Sequence, residues 1–379
     1  MTTAGKPIAC RAAVCWEPHK PLSIEDVVVD PPRAGEVRVR MVAASICRTD
    51  LCAIEGHTII MFYEGMYPVI LGHEGVGVVE SVGPGVTSMQ PGDHVVPSFG
   101  KKCNKCAMCA SGGTNLCQAT SGQCVMADGT TRVTARGTPV YQVACIGAFA
   151  EYAVLAEDTT AKVNPAVPMK HLSPIGCCIP TGMGSALNEA KVGPGSTCVV
   201  WGLGGVGLAV VLGCRLAGAT TILGVDINPD KEALARKFGC SEFLDPKTLD
   251  KPIAQYMAER FPGGGCDFAF ESAGSLTAMK DAFDSVRVGG GHCVVIGGTP
   301  HGTLLGIGPG DLLCGKRISG CLFGGYHFRN DLPKLVDEVA AGRIPIDDFV
   351  THDFRFEDIG KALDVMRTGK GIRVSLQFE

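Results

Sequence analysis

The pattern of apolar and polar positions along the 379-residue chain changes near residue 180. Before that point, apolar and polar residues alternate in short runs such as "RAAVCW", "LSIEDVVVD" and "EVRVRMVAAS", and the same pattern continues through residues 72–98. Turns containing Pro or Gly separate these runs. Alternation with a period of two predicts strands that bury one face. The first half therefore predicts a β-rich domain, in which the cysteine-rich segment 101–124 is a loop because it shows no periodicity.

After residue 180, apolar runs typical of buried strands alternate with segments of helical periodicity. "STCVVWG" precedes "GVGLAVVLGCRLAGA", "TTILGVD" precedes "NPDKEALARKFGC", and "CDFAFESAG" precedes "SLTAMKDAFDSVR". This order predicts an α/β domain with a doubly wound parallel sheet. The apolar stretch 198–214 is long enough to suggest a membrane span, but its glycines and its position predict a buried strand, a turn and a helix. The C-terminal segment predicts two helices and a last strand.

Composition narrows the possible partners. The net charge is −4 and both signs are interspersed, which argues against nucleic acid or an anionic membrane as the main partner. The chain has 19 cysteines, and its first ten residues show no apolar signal core. We therefore expect a cytoplasmic protein whose cysteines are thiols and metal ligands rather than disulfides. Most of them can be small buried residues without chemistry.

A glycine-rich motif, "GLGGVG" at residues 202–207, follows one predicted strand and opens a helix. Gly202, Gly204 and Gly207 fit the dinucleotide fingerprint, and Asp226 ends the next strand. A helix N-terminus reached through glycines accommodates a pyrophosphate, and the carboxylate at the strand end accepts hydrogen bonds from a ribose. That carboxylate would repel a 2′-phosphate, so the pattern favours NAD over NADP. A glycine-rich turn without a ligand is the alternative.

Four cysteines in the loop, Cys103, Cys106, Cys109 and Cys117, follow the spacing C-x2-C-x2-C-x7-C. Four thiolates this close in sequence can enclose one tetrahedral Zn²⁺ with no open position, which is typical of a structural site. An iron–sulfur cluster is the first alternative, but the Cys-Pro that ends the bacterial ferredoxin motif is missing. Two local disulfides are the second alternative.

A catalytic metal site would need nitrogen and sulfur ligands and one open position. Cys47, "GHE" at 72–74 and "GCC" at 176–178 are candidates, although each is weak by itself. A lone histidine such as His73 is more often a core residue than a ligand.

Together these residues carry a resemblance to a family. "ICRTD", "GHEGVG", the four-cysteine loop, "IGCC-x2-TG-x-GSA", "GLGGVGL", "GVDIN" and "FGG" occur in the order and at roughly the spacing of the zinc-dependent medium-chain alcohol dehydrogenases. The likeness covers essentially the whole chain. Because segment 118–145 is long, it resembles the animal and plant cytosolic branch more than the short microbial enzymes.

The resemblance implies a GroES-like β-rich catalytic domain, residues 1–178 and 323–379, and a Rossmann-type NAD-binding domain, residues 179–322. It implies two zinc ions per chain, with Cys47, His73 and Cys177 as ligands of the catalytic one. Glu74 would lie behind that metal, Asp50 would orient His73, and Thr49 would take the alcohol proton. The residues expected to contact NAD are Arg48, Thr181, Gly202, Gly204, Gly205, Val206, Gly207, Asp226, Lys231, Ile296 and Arg373.

The chain departs from the family at Cys52, where many members carry the histidine that ends a proton relay from Thr49. Cysteine titrates higher and donates weakly. His57 follows in a loop that is longer than usual, and it is either a substitute exit for the proton or a solvated loop histidine, the second being favoured. The apolar residues of this loop, Ile59, Ile60, Met61, Phe62 and Tyr63, form either a lid or an unrelated surface.

The implied activity is reversible oxidation of alcohols, with zinc as a Lewis acid and NAD as hydride acceptor. The implied pocket residues are Phe99, Val143, Ala144, Gly298 and Leu322. Several are small, which favours medium or bulky primary alcohols. The apolar stretch 299–322 suggests a homodimer, since the family pairs edge strands there.

Alternative functions remain at this point. A non-redox zinc enzyme, such as a lyase, could use the same scaffold, and the change at Cys52 is what keeps that alternative open. A purely structural role is disfavoured by the intact zinc and NAD motifs. A glutathione-linked formaldehyde dehydrogenase is disfavoured because "CQATSGQ" lacks the basic residue expected after Cys117.

Overall fold

A computed structural model describes residues 3–57, 66–119 and 124–379. Its strands are β1 Ile8–Cys15, β2 Ser23–Val29, β3 Glu36–Ile46, β4 Val69–Ile70, β5 Glu74–Val82, β6 His94–Pro97, β7 Val133–Ala135, β8 Thr138–Gln142, β9 Tyr152–Ala156, β10 Thr160–Lys162, β11 Thr197–Trp201, β12 Thr221–Val225, β13 Glu242–Leu244, β14 Phe268–Glu271, β15 His292–Val295, β16 Arg317–Gly320, β17 Val350–Arg355 and β18 Arg373–Gln377. Its α-helices are α1 Arg48–Ile54, α2 Ala107–Ser111, α3 Cys178–Gly184, α4 Gly205–Leu216, α5 Glu232–Phe238, α6 Ile253–Arg260, α7 Leu276–Ser285, α8 Pro309–Leu313, α9 Phe328–Ala340, α10 Ile346–Phe349 and α11 Ile359–Arg367.

Two units of the chain are separately compact. Unit 1 comprises Met1–Cys177 and His327–Glu379, and unit 2 is Cys178–Tyr326. The boundaries expected from sequence fell after residues 178 and 322.

Unit 1 contains a closed barrel and an open sheet. The barrel follows the order β1-β2-β7-β8-β4, and the sheet follows the order β10-β6-β5-β3-β18-β17, with β9 also pairing with β3. Buried and exposed positions alternate along β2, as the sequence predicted, and inward residues of both sheets form one apolar cluster that includes Val14, Val27 and Val39. The β-rich domain predicted for the first half of the chain is confirmed.

The cysteine-rich segment differs from its prediction as a loop because it contains the short helix α2. Cys106 begins this helix by accepting the Cys109 N–H on its sulfur, and Gly112 ends it in a left-handed conformation with φ 66°. A helix of five residues is too short to leave a periodic signal in the sequence.

Unit 2 is a parallel sheet with the strand order β13-β12-β11-β14-β15-β16. Each neighbouring pair runs parallel, and the central strands are buried on both faces, as their continuous apolar runs predict. This order is that of two mononucleotide-binding halves that meet between β11 and β14. The doubly wound parallel sheet is therefore confirmed.

The stretch 198–214 divides into β11, a glycine turn and helix α4, as predicted. Within residues 3–57, 66–119 and 124–379, no helix is both long enough and apolar enough to span a bilayer.

Candidate active site

The register of three neighbouring strands in unit 1 brings together residues that are distant in sequence. β3 ends immediately before Cys47, and its Ser45 lies opposite Glu74, the first residue of β5. On the other side, Ile46 lies opposite Val374 of β18. Cys47, His73, Glu74 and Arg373 therefore lie at one end of the sheet.

Asp50 holds two of these segments in place. Its buried carboxylate accepts the Cys47 N–H at 2.9 Å and the Gly72 N–H at 3.0 Å. The same carboxylate lies 3.3 Å from Nδ1 of His73, which leaves the Nε2 edge of the ring for a ligand. A carboxylate behind a histidine in this way is common at metal sites, where it fixes the orientation of the ring.

Cys177 directly follows the turn Ser173–Gly176, which brings it to the same end of the sheet. The Ser173 hydroxyl is hydrogen-bonded to the Ser45 hydroxyl, which ties the turn to β3. Gly176 also lies against the start of β5, since a Cβ built there would be 3.6 Å from the Glu74 Cα. The turn thus places Cys177 beside the end of β3.

The resulting cluster suits a metal with soft ligands. Cys47, His73, Glu74 and Cys177 offer ligand atoms within 4.8 Å of one another. Two sulfurs and one imidazole nitrogen are ligands that Zn²⁺ binds in catalytic sites that keep one position open. Both carboxylate oxygens of Glu74 are buried and lack a hydrogen-bond partner among the described residues. Their ion-pair partner is Arg373, whose Nη2 lies 3.3 Å away.

The charges in the cluster favour a bound cation. A hydrogen bond from the Cys177 thiol and the charge of Arg373 hold the pKa of Cys47 well below its usual value, while the same bond and burial raise the pKa of Cys177. Burial raises the pKa of Glu74 to about 8. These acidic groups outnumber the nearby positive charges, so the residues present fit a divalent metal.

The four-cysteine loop forms a second compact donor set. Cys103, Cys106, Cys109 and Cys117 have sulfurs within 4.8 Å of one another, including two pairs at 4.0 Å. Sulfurs at about 2.3 Å from a tetrahedral Zn²⁺ would be roughly 3.8 Å apart, so the set is close to zinc geometry.

Backbone N–H groups also point at these sulfurs. Lys105 and Cys106 donate to the Cys103 sulfur at 3.5 and 3.4 Å. The Cys109 N–H is the largest influence on Cys106 and helps lower its pKa to about 6. Such donors stabilise thiolates, which is the form in which cysteine binds a metal.

In unit 2, the glycine turn packs closely at two of its glycines and leaves open space at a third. Gly202 has φ 85° and a Cβ there would meet the Ala273 N at 2.8 Å, while a Cβ on Gly207 would meet the Gly202 O at 1.8 Å. Glycine is therefore required at both positions by the fold itself. Gly204 differs, because a Cβ on it would meet nothing within 4 Å. This open space lies at the N-cap of the 12-residue helix α4, where a phosphate binds readily.

Asp226 lies beside that turn, at the end of β12. Its Oδ2 accepts the Leu203 N–H at 2.7 Å and the Lys231 ammonium at 2.9 Å, and its Oδ1 accepts the Asn228 N–H at 2.9 Å. The carboxylate is thus fixed next to the glycine turn. This position matches that of the acidic residue that binds the ribose in dinucleotide-binding folds.

The other predicted residues of unit 1 lie on α1, after β6 and after β8. Thr49 is half-buried, with its hydroxyl 3.8 Å from the Cys47 sulfur, and Arg48 is exposed. Phe99 has its ring centroid 6.1 Å from that of His73, edge to face. Val143 is buried and Ala144 is half-buried.

Cys52 is buried near the end of α1, and burial raises the pKa of its thiol. His57 is exposed, and its N–H donates to the Cys52 O at 2.8 Å. The apolar residues 59–63 lie outside the described residues.

The other predicted residues of unit 2 are less buried. Five of them are half-buried, namely Thr181 on α3, Val206, Lys231, Ile296 and Leu322. Gly298 is exposed and Gly205 is buried.

Sequence reasoning missed the strained turn that follows β8. Ala144 and Cys145 both have left-handed backbones, with φ 52° and 57°. The buried side chain of Gln142 supports the turn by donating from Nε2 to the Ile146 O at 2.8 Å. Non-glycine residues rarely adopt this conformation, and here it occurs at two consecutive positions, one of which is the predicted pocket residue Ala144. Glycine would have been the usual signal, and neither position has one.

Comparisons with known proteins agree with this arrangement. Residues 33–165 match the family model of the alcohol dehydrogenase GroES-like domain, and residues 205–341 match that of zinc-binding dehydrogenases. A class-3 alcohol dehydrogenase of Myxine glutinosa is 44% identical over 377 residues, which is 99% of either chain.

Solved structures are similar over the same length. An alcohol dehydrogenase zinc-binding domain protein from Burkholderia ambifaria has a TM-score of 0.90 and 34% identity, covering 99% of this chain and 100% of that one. Benzyl alcohol dehydrogenase from Acinetobacter calcoaceticus has a TM-score of 0.89 and 33% identity, covering 98% and 100%. The family expected from the sequence motifs is confirmed: the chain belongs to the zinc-dependent medium-chain alcohol dehydrogenases, which are oxidoreductases that use a nicotinamide cofactor.

Proposed function

We propose that this enzyme oxidises primary alcohols larger than ethanol to aldehydes, reversibly and with NAD. The observation that carries the proposal is the cluster of the buried Cys47 and His73 with the half-buried Cys177, with the Thr49 hydroxyl beside it. The similarity to a benzyl alcohol dehydrogenase supports a primary alcohol with a bulky group as substrate.

Cys47, His73 and Cys177 would hold the catalytic zinc, which supplies Lewis-acid chemistry toward an alcohol oxygen when bound. Asp50 keeps the His73 ring oriented through its Nδ1 edge. Glu74 would lie behind the metal and could exchange with its water, while Arg373 offsets part of the negative charge. Cys103, Cys106, Cys109 and Cys117 would hold a second zinc, giving two per chain.

Thr49 would take the proton of the alcohol. Beyond it, Cys52 is a poor relay group because burial raises the pKa of its thiol. His57 is exposed near the end of the same helix, so its imidazole is the side chain that could pass the proton to solvent. Direct release to water is the simpler route.

NAD would bind with its pyrophosphate at Gly204 and the start of α4, and with its adenosine ribose at Asp226. Lys231 pairs with Asp226 and would contact the same ribose. The carboxylate favours NAD over NADP because a 2′-phosphate would be repelled. Arg48 and Arg373 would contribute positive charge toward the pyrophosphate, and Thr181 and Ile296 would contact the nicotinamide half. Bound nicotinamide supplies the hydride acceptor.

The size of the substrate follows from the residues expected in the pocket. Val143, Ala144 and Gly298 are small, so a pocket that they line would leave volume that a two-carbon alcohol cannot fill. Each methylene buried in such a pocket contributes about 0.8 kcal/mol. Several added carbons should therefore raise kcat/KM over that for ethanol by roughly one to two orders of magnitude.

A panel of alcohols assayed with NAD tests the proposal. Benzyl alcohol, hexanol and ethanol are compared by kcat/KM, with reduced nicotinamide as the readout and S-hydroxymethylglutathione as a further substrate. We expect benzyl alcohol and hexanol to exceed ethanol. Ethanol as the best substrate, or strict dependence on glutathione, would contradict the proposed specificity. No alcohol-dependent reduction of NAD by zinc-loaded protein would instead favour the non-redox alternative.

We also propose that the enzyme is a cytoplasmic homodimer. The edge strand β16 is mostly half-buried or exposed, and Leu304 and Leu313 nearby are 87% and 88% exposed. An open strand edge beside large exposed apolar side chains favours pairing with a second copy. Sedimentation should show a dimer, and Leu313→Lys should shift it toward the monomer. A wild-type monomer at every concentration would refute this.

A further inference from the structure

A buried carboxylate in unit 2 has no role in the site described so far. Glu271 ends β14 and has no exposed surface. Burying a carboxylate is unfavourable unless hydrogen bonds compensate for the lost water. Oε1 accepts hydrogen bonds, whereas Oε2 has no hydrogen-bond partner among the described residues, so the surroundings of the two oxygens indicate what the residue does.

The carboxylate orders the turn that follows its own strand. Oε1 accepts the N–H groups of Gly274 and Ser275 at 2.7 and 3.3 Å. These residues precede α7, whose N-cap Ser275 makes no side-chain cap hydrogen bond. Glu271 thus fixes the backbone of the N-cap residue and of the residue before it, and its carboxylate lies near the N-terminus of a ten-residue helix, where negative charge is favourable.

The same residue also contacts the end of the next strand. The backbone carbonyl oxygen of Glu271 accepts the N–H groups of Ile296 and Gly297 at 2.8 and 2.9 Å. A Cβ on Gly297 would lie 2.6 Å from Oε2, so the carboxylate lies directly against this backbone. The two turns also touch each other, because a Cβ on Gly274 would lie 2.7 Å from the Gly298 O.

These two turns belong to the second half of the dinucleotide fold. β14 and β15 belong to the mononucleotide-binding half that does not carry the glycine fingerprint, and ligands bind beyond the carboxyl ends of the strands. We infer that Glu271 is a positioning residue for the nicotinamide half of the cofactor, because it fixes the turn 272–275 against the turn 296–298. The inference rests on the proposed function of NAD-linked oxidation.

The first turn is anchored to the glycine fingerprint by a different residue. The Ser272 hydroxyl donates to the Trp201 O at 3.0 Å and the Gly202 O at 2.8 Å. Removing the Glu271 carboxylate leaves these bonds in place. Loss of the Glu271 carboxylate should therefore weaken binding of the nicotinamide half of the cofactor selectively. Loss of the Ser272 hydroxyl should weaken binding of the pyrophosphate.

The test compares NAD with ADP-ribose, which lacks the nicotinamide, by calorimetric titration of zinc-loaded protein. Glu271→Ala should raise the Kd for NAD about tenfold, as expected for losing hydrogen bonds to a charged acceptor. Its Kd for ADP-ribose should change less than about twofold. Glu271→Gln should restore NAD binding, since its amide oxygen can accept the same N–H groups. Ser272→Ala is the matched control and should weaken both ligands alike.

Equal weakening of both ligands by Glu271→Ala would overturn the inference, and so would unchanged binding of NAD. If that variant does not fold, Gly297→Ala displaces the same carboxylate and should give the same selective loss. Failure of the wild-type protein to bind either ligand would refute the proposed function instead, so the two failures are distinguishable.

Discussion

Replacing Asp50 by Asn is the sharpest perturbation of the catalytic cluster, because it removes one charge and keeps the volume. The carboxylate is 1% exposed and accepts N–H groups from Cys47 and Gly72 while it orients His73. An amide has a single acceptor oxygen. Whichever way the Asn side chain turns, its NH₂ group faces one of the two backbone N–H donors.

The expected cost follows from these contacts. A hydrogen bond to a charged group contributes about 1.5–3 kcal/mol, and a buried donor left unsatisfied costs about 1–3 kcal/mol. Asp50→Asn should thus lower the free energy of unfolding by roughly 3–5 kcal/mol in total. Zinc affinity at the catalytic cluster should fall about 10- to 100-fold, as is typical when the partner of a ligating histidine is removed.

Urea unfolding measures the first effect, and competition with a chromogenic chelator measures the second. The four-cysteine loop serves as an internal control, because its zinc should be retained at wild-type affinity. Asp26→Asn is a matched control on the exposed face of β2, where a change within about 0.5 kcal/mol is expected. If Asp50→Asn matches this control in both stability and metal release, the carboxylate does not support the metal site.

The remaining predictions concern the cofactor, the second metal, acid stability and proton release. Asp226→Gly should lower kcat/KM for NAD and improve use of NADP; an unchanged ratio would mean that other groups hold the ribose. Cys103→Ala should lose one of two zinc ions by metal analysis and lower Tm, since structural zinc contributes folding free energy. Burial raises the pKa of Glu80, but hydrogen bonds, led by the one from the buried Arg38, lower that pKa overall. The stabilisation that the Glu80 carboxylate contributes is therefore present above about pH 4.5 and lost on acidification. Glu80→Gln should flatten the fall in stability below that pH. Cys52→His should raise oxidation rates near pH 6–7, roughly tenfold or more if proton release limits turnover, and an unchanged pH–rate profile would show that it does not.

Much of the fold could be predicted from local patterns. The period-two runs predict the strands of unit 1, and the alternation of apolar runs with helical segments predicts the sheet of unit 2. The helix α2 could not be predicted, because its five residues are organised by sulfur contacts within the cysteine loop. The left-handed backbone at Ala144 and Cys145 was also hidden, since surrounding contacts impose it and no glycine marks it.

The candidate site could be predicted in composition but not in geometry. Motif resemblance nominated Cys47, His73 and Cys177, yet nothing local to them indicates which strands are neighbours. Their convergence depends on the register that places Ser45 opposite Glu74. Such long-range pairing is set by the packing of the whole sheet, and a slip of one residue would turn these side chains to the opposite face.

The charges of the cluster explain why so many acidic groups can share one buried place. Cys47, Cys177 and Glu74 are all acids, and Arg373 is the cation that pairs with Glu74 there. The hydrogen bond between the two thiol groups lowers the pKa of Cys47 and raises the pKa of Cys177, so a proton is favoured on Cys177. A divalent metal would supply the missing positive charge and release that proton, so metal affinity should increase with pH. The cluster therefore has the charge distribution of a metal site, and the need to bind a cation explains why three acidic side chains lie together.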